Sequence, residues 1–353
     1  MALDAHGADS GPESVLEGAR LAAADGIAVR LFGPASLTAP TDVEGVEVVA
    51  AEEWIANDAD PVAAVRSTPG ASIVRAAADA AEGRSSGLVS PGSTGAAMTA
   101  ALFAMKRIRG VHRPALAAQI PVPAGAGGRT VLLLDCGANT EARPQHLIQF
   151  AHLGAAFARS VLGNAGPRVA LLSVGEEQKK GRPDVVEAHV ALAGAETIDF
   201  VGNIEGRDLL TGSADVVVTD GFTGNVALKT LEGTARAVAG AVRDAARSGP
   251  MSAAGGLLLR PALVGLRRQM DPNAVGGAIL LGLRGVAVVA HGSSTPEGIA
   301  NAVRLADRAA SERAVERTAE ALEVSGATRR SMREEREGRE GREEPASDPA
   351  GAE

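Results

Sequence analysis

The chain has 353 residues, 45% of them apolar, enough to bury roughly three quarters of its unfolded surface in one large core or two smaller ones. Acidic residues outnumber basic ones, 43 to 35, for a formal charge of -8, which argues against the global basic field of a nucleic-acid binder. A single cysteine, Cys136, excludes an internal disulfide framework, no apolar run approaches the ~20 residues of a membrane span, and the opening residues lack a signal pattern. A cytoplasmic protein with at most peripheral membrane contact is expected.

In chain order, the pattern predicts a helix over Pro12 to Asp25, strands at Ile27 to Phe32 and Val46 to Ala50, and a helix over Gly70 to Glu82. A strand at Gly87 to Ser90 leads to a helix over Thr94 to Arg107, and a strand at Thr130 to Asp135 to a helix over Pro144 to Leu162. Strand Arg168 to Val174, helix Pro183 to Ala193, strand Ala214 to Asp220 and helix Gly224 to Arg247 follow. In Leu257 to Met270, Leu259, Leu263, Leu266 and Met270 recur at helical spacing, with Arg260, Arg267 and Arg268 off that stripe. This reads either as a membrane-surface helix or as one packed on the core or on a second subunit. Strand Gly285 to Ala290 and helix Pro296 to Leu322 complete the folded body, expected to span residues 1–325. From Gly326 the composition turns polar and charged, so 326–353 is expected to be a disordered tail.

Most of these strands are apolar on both faces and alternate with helices, which implies a mainly parallel sheet in a three-layer α/β/α arrangement. In such sheets ligands bind beyond the carboxyl ends of the strands. Small polar loops stand there: "SPGSTG" (Ser90 to Gly95), "DCGANTEARP" (Asp135 to Pro144), "GEEQKKGRP" (Gly175 to Pro183), "DGFTGN" (Asp220 to Asn225) and "HGSSTP" (His291 to Pro296). Glycine admits close approach of backbone N–H groups, and Ser, Thr and Asn cap the next helix and donate to oxygen. With the helix dipole this is the chemistry of an anion site, and the five loops are expected to converge on one. An ordinary strand-to-helix turn is the competing reading of each loop alone.

Other chemistries fit less well. No G-x-G-x-x-G opens a helix after a strand, and no phosphate-binding G-x-x-x-x-G-K-[ST] occurs. The six histidines are dispersed, so no metal site is expected. Cys136 reads as a buried small hydrophobe rather than a nucleophile.

As an ordered set, "DAHGADSGPE", "SPGSTGA", "LDCGANTEARPQHLIQFAHLG", "GEEQKKG", "GNIEGRD", "ADVVVTDGFTGNVALKTLEG", "GGAILLGL" and "HGSS" resemble the bacterial phosphate acyltransferases from about Ala2 to Leu322. The resemblance implies an α/β/α fold related to phosphotransacetylases and isocitrate dehydrogenases, a homodimer, and no cofactor or metal. It implies transfer of a long-chain fatty acyl group from acyl carrier protein to inorganic phosphate, with the acyl phosphate passed to a membrane acyltransferase. Departures from the family pattern fall at His6 and Ala8, at Ser93 where asparagine is usual, at Arg182, and at Val275. The strand before Asp4 is also shorter than in relatives, an expectation that the true start lies upstream.

Phosphate attack on a thioester requires a held dianion and donors for the developing oxyanion. Lys180 is assigned to neutralise phosphate or oxyanion, with Lys179 as the competing choice, and Asn225 to donate to the carbonyl oxygen or phosphate. Substrate binding is expected from Gly7, Ser90, Ser93, Thr94, Gly221, Gly224, Ser293 and Ser294, with Asn139, Asp220 and His291 organising loops or orienting phosphate. Asp4 and Asp9 are expected to hold backbone N–H groups in place. The basic run Met105 to Arg113 reads either as a solvated helix end or as a contact for the acidic carrier protein. The competing functions are a phosphotransacetylase acting on acyl coenzyme A and a catalytically silent scaffold at the membrane surface.

Overall fold

A computed structural model describes residues 1–38, 44–122, 130–269 and 271–332. The first elements are β1 (Ala2–Asp4), α1 (Pro12–Ala24), β2 (Val29–Gly33), β3 (Val46–Ala50), α2 (Pro61–Ser67), α3 (Ser72–Ala81), β4 (Gly87–Ser90) and α4 (Thr94–Met105). They continue with β5 (Ala115–Pro121), β6 (Thr130–Leu134), α5 (Pro144–Ser160), β7 (Arg168–Leu172), α6 (Pro183–Ala193), β8 (Asp199–Ile204), β9 (Val216–Val218) and α7 (Gly221–Arg247). The last are α8 (Pro250–Gln269), α9 (Pro272–Val275), β10 (Ala278–Leu281), β11 (Val286–Val289), α10 (Pro296–Ser311) and α11 (Ala314–Val324). Pro12, Pro144, Pro183 and Pro296 each open a helix, where the fixed φ suits the first turn and no N–H is needed.

Among the described residues, the strands join one sheet of 11, in the order β3-β2-β1-β4-β11-β10-β5-β6-β9-β7-β8. Their side chains alternate between two cores. Leu132, Leu134, Val216 and Val218 enter one core with α1, α5, α6, α10 and α11, while Val131, Leu133 and Val217 enter the other with α2, α3, α4 and the start of α7. Both faces are dry, which is why the strands read as continuous apolar runs rather than alternating ones.

The direction of the strands reorganises the predicted loops. β11 pairs antiparallel with β10, β10 with β5, and β5 with β6, whereas every other neighbour is parallel. Three successive reversals leave β6, β9, β7 and β8 running opposite to β1, β2, β3, β4 and β11. The carboxyl ends of the two sets therefore open at opposite edges of the sheet. The expected convergence of five loops is replaced by two groups of three adjacent strand ends: β1, β4 and β11 at one edge, β6, β9 and β7 at the other. Three strand spacings, roughly 14 Å, separate β11 from β6 across the sheet as well.

Two predicted boundaries also change. The helix over Pro296 to Leu322 is broken at Arg313, whose left-handed φ of 53° turns α11 back against α5. Residues 326–332, assigned to the tail, belong to the folded body: Ala327 is buried, its carbonyl accepts from the Gln149 side chain (2.7 Å), and the Arg329 N–H donates to Gly110 O (2.8 Å). Ala327 and Met332, which both pack on the core, explain why the polar stretch folds. The tail from Arg333 onward lies outside the described residues.

α7 and α8 pack on each other, and beyond Leu231 α7 buries no residue. The side chains of Leu263, Leu266 and Arg267 and all of Met270 lie outside the described residues, so the predicted stripe is visible only in part. Its described neighbours Leu257, Leu258, Leu259 and Arg260 are exposed. No helix among the described residues is long and apolar enough to cross a membrane.

Candidate active site

The edge formed by β6, β9 and β7 is organised by Asp135, fully buried just beyond β6. Its carboxylate accepts from the backbone N–H groups of Leu116 (3.0 Å), Gly137 (3.1 Å), Ala138 (2.9 Å) and Asn139 (2.7 Å), and from the Asn139 side-chain amide (2.7 Å). Burial raises the carboxyl above its ordinary range, and these donors offset only part of that push. Asn139 gives its other amide proton to Pro114 O (2.8 Å), and its carbonyl accepts from the Gly221 N–H (2.7 Å). Asn139 thus ties the loop after β6 to the start of α7, and its amide protons are both committed. Gly221 is required at that contact, because a β-carbon there would lie 2.6 Å from Asn139 O.

α7 begins where Asp220 caps it. The Asp220 carboxylate accepts from the Thr223 N–H (2.9 Å) and hydroxyl (2.8 Å), a cap worth about 1 kcal/mol. It also accepts from Arg182 (3.3 Å), which pairs in addition with Asp184 (3.0 Å). The arginine at this departure from the family pattern therefore links the loop after β7 to the loop after β9. Asn225 stands one turn into α7, half-buried, and its side-chain amide has no hydrogen-bond partner among the described residues. It faces Gly137, whose left-handed φ of 134° brings that loop beneath it. A free amide donor at a helix amino terminus, above a rigid loop, can act on a developing oxyanion.

Lys180 is exposed on the loop after β7. Its N–H donates to Glu177 O (2.9 Å), its carbonyl accepts from the Ser173 hydroxyl (3.0 Å), and its aliphatic stem lies against Gly175. No carboxylate pairs with its ammonium among the described residues. Asn139, Lys180, Asp220, Gly221, Gly224 and Asn225 are thus brought to one edge. Cys136 is buried beside them, burial pushes its thiol up, and the thiol donates to Leu133 O, so it is not a poised nucleophile.

The remaining predicted residues form a separate cluster at the opposite edge. Asp4, buried as the last residue of β1, accepts from the Ser72 hydroxyl (2.6 Å), the Ser90 hydroxyl (2.7 Å) and the His6 N–H (3.2 Å). Gly7, at φ 91°, lies so close to Gly92 that a β-carbon would meet its Cα at 2.4 Å. His6 stacks on Trp54 above them (5.4 Å), and the cavity they leave is about 10 Å³, room for a water at most. Ser93 caps α4 through the Ala96 N–H (3.5 Å), with Thr94 exposed beside it. His291 bonds the Ser293 hydroxyl (2.8 Å) and its carbonyl accepts from the Ser294 N–H, while the exposed Asp9 is tied by its N–H to Gly292 O. These residues hold one another, and they do not adjoin Lys180 or Asn225.

Residues 1–317 match the family described as fatty acid synthesis protein. The chain is 44% identical over 314 residues to the phosphate acyltransferase of Heliobacterium modesticaldum, covering 87% of this chain and 92% of that relative. Against the phosphate acyltransferase of Bacillus pumilus it is 43% identical over 310 residues, with the same coverage.

The chain belongs to the phosphate acyltransferase family. It is therefore an enzyme of the transferase class. Its fold is that of a phosphotransacetylase from Streptococcus pyogenes (TM-score 0.59, 18% identity, 90% of this chain and 94% of that one) and of the EutD phosphotransacetylase from Staphylococcus aureus (TM-score 0.56, 19% identity, 88% and 93%). In this member of the phosphate acyltransferase family, sequence reasoning missed Asp135 as the organiser of the edge. An acid at a strand end, followed by Cys-Gly and an asparagine four residues on, was the available signal. It also read Arg182 only as a departure, because nothing local in sequence announces its pairing with Asp220.

Proposed function

We propose that this enzyme moves a long-chain fatty acyl group from the thioester of acyl carrier protein to inorganic phosphate, giving an acyl phosphate for phospholipid synthesis. The observation that carries the reading is the Asn225 amide at the start of the 27-residue α7, uncommitted among the described residues, with Lys180, likewise unpaired among them, on the loop after the adjacent strand β7. A phosphate oxygen attacks the thioester carbonyl carbon, the carbon–sulfur bond breaks, and the departing thiolate takes up a proton to leave as thiol. Asn225 donates to the carbonyl oxygen as it gains charge, and Lys180 offsets the charge of phosphate or of that oxygen. Attack is direct, in keeping with the inert Cys136.

The test supplies purified enzyme and phosphate with the same long acyl chain on acyl carrier protein and with a short acyl chain on coenzyme A, without added metal or nicotinamide. Acyl phosphate should form from the carrier-bound long chain. Formation only from the short coenzyme A donor overturns the donor assignment, and strict dependence on an added cofactor overturns the mechanism.

We also propose that the enzyme works as a homodimer at the inner membrane surface, delivering its product to a membrane acyltransferase. The exposed Met251, Leu257, Leu258 and Leu259 of α8, with Arg260 beside them, support a lipid-facing hairpin.

A further inference from the structure

Beside the Asp135 loop lies a half-open cleft of about 900 Å³. Met98, Leu102, Ile108, Val111, Leu280 and Leu283 make its apolar lining, and Ala138 and Asn139 of the candidate active site form part of its wall. Lys106, Arg107, Arg113 and Arg329 line it too, with Arg109 and Arg284 exposed on the same loop and on the strand turn bonded to it. None of these six cations pairs with a carboxylate among the described residues, in a chain whose acids outnumber its bases.

The rim is built rather than loose. Lys106 sits at a φ of 61°, a left-handed conformation that costs a residue with a β-carbon of order 1–3 kcal/mol and persists only where the surroundings hold it. Ile108 N–H donates to Gly282 O (2.9 Å), Arg284 N–H to Lys106 O (3.0 Å) and Arg329 N–H to Gly110 O (2.8 Å), while the Gln149 side chain holds Gly110 O from below (2.9 Å). Burial first, and then the nearby charges of Arg329, Arg107 and Arg143, keep His112, on the same stretch of chain, below its ordinary value.

We propose that this rim docks an acidic carrier protein and that the cleft beneath it receives the carrier's acyl-bearing arm, placing the thioester beside the Asp135 loop; this rests on the donor reading given above. An acidic partner is repelled by a chain of net charge -8 except where unpaired cations gather, so the rim fixes where it lands. The volume falls in the range of small-ligand clefts, and a narrow apolar chain with one polar end matches a lining that is apolar inside and cationic outside.

The experiment measures binding of fluorescent acyl carrier protein by anisotropy at low and moderate salt, and turnover with the same acyl chain on acyl carrier protein and on pantetheine. Arg113→Glu/Arg329→Glu should weaken carrier binding about tenfold or more and flatten its salt dependence. The loss of kcat/KM with the carrier-bound donor should exceed the loss with acyl pantetheine by at least as much. Lys106→Glu/Arg109→Glu, on the other stretch of the rim, repeats the test independently should the first pair lower the thermal midpoint. Unchanged carrier affinity in both pairs, or equal losses with the two donors, overturns the docking surface. A wild-type enzyme that neither binds nor uses the carrier overturns the donor reading itself, a result separate from the first.

Discussion

A β-carbon placed on Gly224 would fall 1.9 Å from the carbonyl oxygen of Asp135. The first turn of α7 is therefore seated directly on the backbone of the loop after β6, with no side chain between them. Gly224→Ala should force these two segments apart, lowering stability by roughly 1–3 kcal/mol as overpacking does, with a larger fractional loss of turnover because Asn225 moves with the helix. Thermal unfolding and acyl phosphate formation check it together; unchanged turnover would show that the seat does not position the site.

Lys180→Ala and Asn225→Ala each remove a group that makes no ion pair or hydrogen bond by its side chain within the described protein, so both variants should fold normally. Turnover should drop by roughly 10²-fold or more, the effect of deleting an oxyanion donor. Near-normal turnover in both would remove them from the mechanism.

Stability should fall as pH is lowered from about 6.5 toward 4, because burial holds His146 and His152 down to about 4, ahead of the nearby charges of His112 and Arg159 respectively. The unfolded chain takes up protons at both groups in that window and the folded chain does not, so protonation favours unfolding. Thermal midpoints across the range should show the decline, and His152→Gln should make it shallower. The raised carboxyls of Asp4 and Asp135 act with the opposite sign in part of this window, so the comparison with the variant decides: an unchanged profile in His152→Gln would contradict the contribution of that buried ring.

Removing Arg333 to Glu353 should leave the thermal midpoint nearly unchanged, whereas removing Gly326 to Glu353 should lower it. The longer deletion exposes the Ala327 site and strips the Gln149 amide of its bond to Ala327 O, a loss of roughly 1–3 kcal/mol for the stranded polar group. Equal midpoints for the two truncations would place residues 326–332 outside the folded body.

Leu257→Glu/Leu258→Glu should abolish sedimentation with anionic vesicles while acyl transfer in solution persists, since both side chains are largely exposed, at 68% and 83%. Salt should weaken the wild-type interaction only in part, because the apolar contribution is not screened. Loss of the dimer in this variant, measured by light scattering, would assign the leucines to a subunit contact instead.

The parallel strands and the helices opened by proline were legible because each carries a local signal: β-branched runs such as Val216 to Val218, or a fixed φ such as that of Pro183. β5 was missed because "ALAAQIP" has little β-branching, and β8 because Gly202 interrupts "DFVGNI". The mainly parallel pairing was legible, but the reversal of direction between the two halves of the sheet, carried by β10 and β5, was not. It is set by which distant segments pair, and so the edge holding Asp4 and Ser90 could not be told from the edge holding Asp135 and Asn225. The identity of Asn225 and Lys180 as site candidates came through the family pattern, while the role of Asp135 depends on N–H groups from four places, which no local motif records.

β11 sits between β4 and β10, and α1 packs along α10, with a β-carbon on Gly18 only 2.7 Å from the Ile299 side chain. The amino-terminal lobe therefore lacks its inner strand and its covering helix until the last fifth of the chain has been made. While synthesis proceeds, β4 presents an unpaired edge for the passage of nearly two hundred residues, and α1 a bare apolar face for about 270. Closure of that half of the sheet is a late event, dominated by contacts of high sequence separation, and it waits until Val286 to Ser311 has been made.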